Sequence, residues 1–175
     1  MMCQFAAKFA SENGAAQVDE AQIQAAAASA LRPFENGPSS GNPYEVQHSL
    51  QERMQELVGI VRTESEMCHA LDVIAELRAK SAKAGIGGNR QYNTGWHTAM
   101  DLANLLDVSE AITRAAILRK ESRGAQFRED FPEKDADWGK HNLIVRRGGD
   151  GEMLVDKRPV TPMPDELKQV IEEMK

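Results

Sequence analysis

Between Asn42 and Glu121 apolar residues recur at intervals of three and four through three successive stretches, and this pattern limits most tightly what the chain can become. A 3.6-residue repeat gathers such positions on one face of a helix, and three one-faced helices joined by short links bury those faces against one another. The first stretch opens at Asn42-Pro43, where Asn suits the N-cap, Pro the first helical position and Glu45 the return contact of a capping box. It predicts a helix to about residue 61, with Val46, Leu50, Met54, Leu57, Val58 and Val61 on the core face. Thr63 and Glu66 repeat the capping arrangement, and Met67, Leu71, Ile74 and Leu77 carry a second helix to a stop at Gly85. The third spans about 94–121, where Trp96, Met100, Leu102, Leu105, Leu106, Ile112 and Ile117 give an apolar face broad enough for two partners.

The flanks read differently. Residues 3–12 look helical, and another helix should begin near Asp19, with Gln22 as its capping-box partner and Pro33 helping to end it. Its stripe of Ile23, Ala27, Ala30 and Leu31 is thin, so this N-terminal pair needs another surface to pack on. After Gly124 the helical period is lost, and 126–139 reads as an extended, ordered strap. Residues 141–147 and 152–158 flank Gly148-Gly149-Asp150-Gly151, whose Gly-Gly and Asp-Gly pairs suit a hairpin turn. Such a hairpin is marginal alone and should dock on the bundle or a partner. An extended link over 159–164 leads to a last helix capped by Asp165 and carrying Leu167, Val170, Ile171 and Met174. The expected fold is therefore mainly α: an antiparallel three-helix bundle, spectrin-repeat-like, with N-terminal helices and an extended C-terminal tail carrying a β-hairpin. The divisions fall at 1–41, 42–121 and 122–175.

Composition narrows the function classes. A net charge of -6 with no basic stripe argues against nucleic acid as a partner. No run reaches the length of about 18 apolar residues that a spanning helix needs, so direct membrane insertion is not expected. Two distant cysteines, Cys3 and Cys68, make neither a disulfide framework nor a zinc site, and suit a reducing cytoplasm. His48, His69, His97 and His141 lie in separate segments, so no metal site is expected. Gly85-Ile86-Gly87-Gly88 follows a helix and lacks Lys-Ser or Lys-Thr after it, which favours a flexible inter-helix turn over a phosphate loop. Glu45, Glu52, Glu56, Glu64 and Glu66 alternate with Gln and Arg and read as a solvated face.

One stretch is denser in charge than a simple helix end requires: 119–132, Arg-Lys-Glu-Ser-Arg-Gly-Ala-Gln-Phe-Arg-Glu-Asp-Phe-Pro. Arg119 and Arg123 could serve the last helical carbonyls while Arg128 and Asp130 pair locally. Alternatively, guanidinium forks could grip carboxylates and carbonyls of a docked neighbour. Arg119, Arg123, Gln126, Arg128 and Asp130 are the interface candidates, and spacing does not choose between the two accounts.

Glu121-Ser122-Arg123-Gly124-Ala125 followed by Arg128-Glu129-Asp130-Phe131-Pro132 resembles the C-terminal signature of succinate dehydrogenase and fumarate reductase flavoproteins, and L-aspartate oxidase has a similar segment. Asn42-Pro43-Tyr44, Leu57-Val58-Gly59-Ile60-Val61-Arg62, Asn93-Thr94-Gly95-Trp96-His97 with Asp101-Leu102, and Trp138 with Lys140-His141-Asn142-Leu143 resemble the same family in the same order. Ala6-Ala7-Lys8-Phe9-Ala10 is similar to the helix that leaves the FAD domain there. One departure is Gln126, where the family usually has His. The resemblance implies an enzyme that interconverts succinate and fumarate on covalently bound FAD and passes electrons to an iron–sulfur subunit. It would be cytoplasmic and peripheral to the cytoplasmic membrane through partner subunits. The FAD, dicarboxylate and proton-delivery segments would precede this chain, so no catalytic, cofactor-binding or metal residue is expected here. The partners implied are the FAD-binding and capping domains of the same subunit. A free-standing helical protein-interaction adaptor, or the equivalent domain of L-aspartate oxidase, is the competing expectation.

Overall fold

A computed structural model describes residues 2–14 and 17–174. Six helices are found among them: α1 (Met2–Asn13), α2 (Glu20–Asn36), α3 (Pro43–Leu57), α4 (Glu64–Ser81), α5 (Thr94–Leu118) and α6 (Asp165–Glu173). Two short strands, β1 (Val61–Arg62) and β2 (Phe127–Arg128), pair in parallel, and β3 (His141–Arg147) pairs antiparallel with β4 (Met153–Pro159). Among the described residues no helix is long and apolar enough to cross a membrane.

α3, α4 and α5 pack together around Val46, Leu50, Ile74, Leu77, Leu102 and Leu106, with Met54 and Val73 filling its margin. Leu57, Val58 and Ala70 continue the core toward the α3–α4 connection. The bundle is thus assembled from the period legible in the sequence. α4 starts as anticipated: Thr63 Oγ1 accepts from Glu66 N at 3.3 Å, and Glu66 Oε2 accepts from Thr63 N at 3.0 Å.

Several boundaries differ from expectation. α3 ends at Leu57, because Val58 leaves helical geometry at φ -132° and the chain then extends to pair with the tail. Val61 is consequently 52% exposed and lies outside the core. Pro33 sits inside α2 and does not end it. Contacts from the bundle hold the turn that proline weakens: Trp96 Nε1 donates to Ala30 O (2.7 Å), Ile86 N to Pro33 O (2.9 Å) and Asn36 Nδ2 to Ala84 O (2.9 Å). Asp19 caps α2 through Ala21 N at 2.9 Å, without the return bond expected from Gln22. Asp165 is the first residue of α6, whose N-cap is Pro164 with no side-chain cap.

α5 shows the largest difference in facing. Its buried positions are Leu102, Leu106, Ser109, Thr113 and Ala116, while Met100, Leu105 and Ile112 are exposed. The buried hydroxyl of Thr113 is satisfied by donating to Ser109 O at 2.8 Å. The expected flexible turn at 85–88 is instead a packed joint. Gly85 N donates to Gly41 O at 3.0 Å, and a Cβ at Gly85 would stand 1.9 Å from the Gly37 carbonyl oxygen. Only glycine allows the two loops to lie that close.

Candidate functional site

The last turn of any helix leaves carbonyl oxygens without intrahelical donors. At the end of α5 they are supplied by Arg128, which the parallel pairing of β2 with β1 carries beneath the helix terminus. Its Nη1 donates to Ala116 O (2.8 Å), Ile117 O (3.2 Å) and Arg119 O (3.4 Å). Nε and Nη2 grip the two carboxylate oxygens of Asp130 at 2.7 Å each, and Nη2 reaches Glu64 Oε2 at 3.4 Å. The Arg128 side chain is fully buried, which is tolerable only with this set of partners. The pair stabilises both charges: the Arg128 pKa is pushed up chiefly by the Asp130 hydrogen bonds, and the Asp130 carboxyl is held down to about 2 chiefly by Arg128.

A second knot lies beside it. Glu121 is buried and accepts from Arg119 Nη1 (2.7 Å) and Arg123 Nε (2.8 Å) on one oxygen, and from Arg123 Nη2 (3.0 Å) and Asp135 N (2.9 Å) on the other. Those bonds, the Arg123 pair foremost, lower its pKa to about 2 although burial opposes the shift. Arg119 also donates to Trp138 O (3.2 Å) and His141 O (3.0 Å), with its guanidinium carbon 5.0 Å from the Trp138 ring centroid. This anchors the start of β3. Arg123 Nη2 reaches Asp135 O at 2.9 Å. The turn between the knots is tight, since Arg123 and Gln126 exchange backbone bonds across Gly124, whose φ is +62°. Gln126 Nε2 donates to Arg119 O (3.1 Å) and Glu121 O (3.3 Å), and its Oε1 accepts from Arg62 Nη1 at 3.3 Å.

The five residues singled out from sequence, Arg119, Arg123, Gln126, Arg128 and Asp130, therefore converge on one end of the bundle. Their polar atoms are engaged largely with this chain's own carbonyls and carboxylates. Arg128, which the local account paired with Asp130 alone, also caps the α5 carbonyls, a task that account gave to Arg119 and Arg123. Glu121, Ser122 and Glu64 were not singled out. Glu64, grouped with the solvated acids, contacts both Arg128 and Lys120 at 3.4 Å. Ser122 Oγ accepts from Arg128 N at 2.9 Å and donates to Phe131 O at 2.9 Å. The available signal for Glu121 was its place two residues from both Arg119 and Arg123.

Chemically this is a fastening. Ser122 has no base beside it, and no cluster of three potential metal ligands occurs among the described residues. The cleft between α2, α4 and α5 is lined by small residues such as Ala26, Ala30, Ala99 and Ala103 together with Arg32, Asn36 and Arg78, and no buried side-chain polar atom among the described residues awaits a partner.

Comparison with known proteins gives this architecture a lineage. Mycobacterium smegmatis Sdh1, solved in complex with UQ1, superposes with a TM-score of 0.80 at 38% identity, over 89% of this chain and 27% of that one. The fumarate reductase flavoprotein subunit of Mycobacterium tuberculosis is 33% identical over 118 residues, 67% of this chain and 20% of that protein. The succinate dehydrogenase flavoprotein subunit of Coxiella burnetii is 32% identical over 143 residues, 79% of this chain and 24% of its own length. The chain thus spans about a fifth to a quarter of the length of these curated relatives. The family described as fumarate reductase flavoprotein C-term matches residues 47–170, from the second turn of α3 into α6. With the strap, the hairpin and all of the bundle but the first turn of α3 inside that match, the chain belongs to the fumarate reductase flavoprotein C-terminal family.

Proposed function

We propose that this chain is the C-terminal helical domain of a succinate dehydrogenase or fumarate reductase flavoprotein subunit. The whole subunit interconverts succinate and fumarate on FAD held by segments other than these, and delivers electrons to or from an iron–sulfur subunit. It works on the cytoplasmic side, peripheral to the membrane through its partner subunits. In this division of labour residues 1–41 close the FAD domain, 42–121 form a buttress and 122–175 lie as a strap across the flavin-binding and capping domains. Hydride transfer demands fixed sub-ångström positioning, which a rigid brace supplies. Arg119, Arg123, Gln126, Arg128 and Asp130 act at that interface by fixing the strap, Arg123 being the most exposed of the three arginines, with 40% of its side chain accessible.

The observation that carries the reading is the double knot: two buried ionic centres, free of reactive groups, that tie the strap to the end of α5. The test uses the full-length subunit. It should bind FAD and oxidise succinate with a soluble dye acceptor, and Arg123→Ala should lower its thermal stability and loosen assembly with the iron–sulfur subunit. Unchanged stability and activity in that variant would remove the bracing role. A flavin spectrum from the 175-residue chain alone would remove the assignment of FAD to other segments.

A further inference from the structure

Glu-Asn-Gly occurs twice in the chain, at 12–14 and at 35–37. Asparagine is among the chemically labile side chains, and a glycine after it leaves the next backbone nitrogen unobstructed, free to close on the side-chain carbonyl carbon. The sequence gives both copies this chemistry, and the structure separates them. At the end of α1 Asn13 is exposed, its Nδ2 donates to Phe9 O of its own helix at 2.8 Å, and a Cβ placed on Gly14 would meet nothing within 4 Å.

Asn36 closes α2, and its side chain reaches across to the bundle. Its Nδ2 donates to Ala82 O (3.2 Å) and Ala84 O (2.9 Å) in the chain leaving α4. Gly37 is wedged beside it, since a Cβ at Gly85 would stand 1.9 Å from Gly37 O and 3.1 Å from Gly37 N. Ring closure requires the Asn36 side chain to swing back over its own backbone and Gly37 N to turn toward it. The first movement breaks both bonds to the bundle, and the second needs room that Gly85 occupies.

We propose that Asn36-Gly37 is a gated modification site, shielded while α2 is docked and deamidated when α2 lifts, after which the same joint cannot form again. In the open state Gly37 N, losing its proton to solvent base, bonds to Asn36 Cγ. The bond from Cγ to Nδ2 breaks, and the nitrogen leaves as ammonia with a proton from water. The resulting succinimide takes up one water and opens to aspartate or isoaspartate, with no change of oxidation state. An ionised carboxylate accepts hydrogen bonds and donates none, so the carbonyls of Ala82 and Ala84 lose their donor and face a negative charge. Isoaspartate also lengthens the backbone by one carbon just where Gly37 and Gly85 meet. One opening of the kind that local unfolding supplies is thereby recorded permanently.

The test follows the full-length subunit at mildly alkaline pH, native and in urea. Cleavage after glutamate releases residues 36–45 as one peptide, whose mass reports deamidation. The native rate should be slower than the urea rate by about tenfold or more, as the loss of two hydrogen bonds on opening demands. Trp96→Phe keeps a ring but removes the Nε1 donor to Ala30 O, so it should raise the native rate several-fold and leave the urea rate unchanged. Asn36→Asp reproduces the product, and should speed amide exchange at Ile86, whose N donates to Pro33 O across the same joint, by about tenfold. Equal rates in the native chain and in urea, a native rate indifferent to Trp96→Phe, or unchanged exchange at Ile86 in both Asn36→Asp and the deamidated wild-type fraction would each overturn the proposal.

Discussion

At its N-terminal end α5 is held by neutral contacts, and at its C-terminal end by charge. Asn93 Oδ1 accepts from Trp96 N at 3.0 Å, the Trp96 ring meets Phe34 edge-on with centroids 5.4 Å apart, and Gly85 lies against the Gly37 carbonyl nearby. Removal of a partner there leaves a gap or a clash. At the other end Glu121 and Arg128 are both buried, and removal of a partner leaves an ion in a place water does not reach. The same helix is thus fixed once by shape and once by paired charges, and only the second fastening responds to protons.

Acid should therefore separate the two ends most strongly. Glu121 and Asp130 both titrate lower in the folded chain, at about 2, than unfolded carboxyls, which titrate near 4. Their contribution is complete above the unfolded value and disappears as the pH falls through about 2. Urea midpoints measured from pH 7 down to pH 2.5 should fall steeply, with the strap losing protection before the Trp96 end. Equal loss at both ends would break the comparison.

Next in size is Arg128→Ala, expected to cost about 3–5 kcal/mol in urea unfolding because Asp130 and three carbonyls lose their donor together. A cost below about 1 kcal/mol would show that water replaces the guanidinium at little expense. Glu121→Gln should cost about 2 kcal/mol, since the amide keeps the shape but not the charge facing Arg119 and Arg123. It should also flatten the acid dependence, which makes it the sharper of the two variants.

Gly85→Ala belongs to the neutral end and should cost about 1–3 kcal/mol, as overpacking does. Its defining outcome is a loss that stays constant from pH 7 to pH 2.5. Tyr44→Phe removes the 2.8 Å bond between Tyr44 Oη and Thr94 Oγ1 at an exposed site, and should shift stability by less than about 1 kcal/mol, independent of pH.

The bundle was legible because its signals are local. The Thr63–Glu66 box and the spacing of Val46, Leu50, Ile74 and Leu77 depend on neighbours three or four residues away. Errors arose where a distant contact decided. Pro33 stays within α2 because Trp96 and Ile86 hold its last turns, and Val61 leaves the core because Phe127 pairs with it. α5 carries apolar residues on two sides, and nothing in its own sequence favours Leu102 and Leu106 over Leu105 and Ile112. The same holds for the knots. Charge density marked 119–132, yet the burial of Glu121 and the capping by Arg128 follow from a strand pairing that no spacing rule reveals. Family resemblance located the segment, and geometry showed how its charges are arranged.

The two-residue parallel ladder between β1 and β2 has a consequence for the order of assembly. Val61 and Phe127 can meet only after the intervening chain, with all of α4 and α5, has been brought into a closed loop. Forming that contact early would carry a large entropic penalty with little in return, so the clasp should shut last, on helices already in place. In unfolding it should open first, making amide exchange at Phe127 and Glu129 an early reporter of a bundle about to come apart.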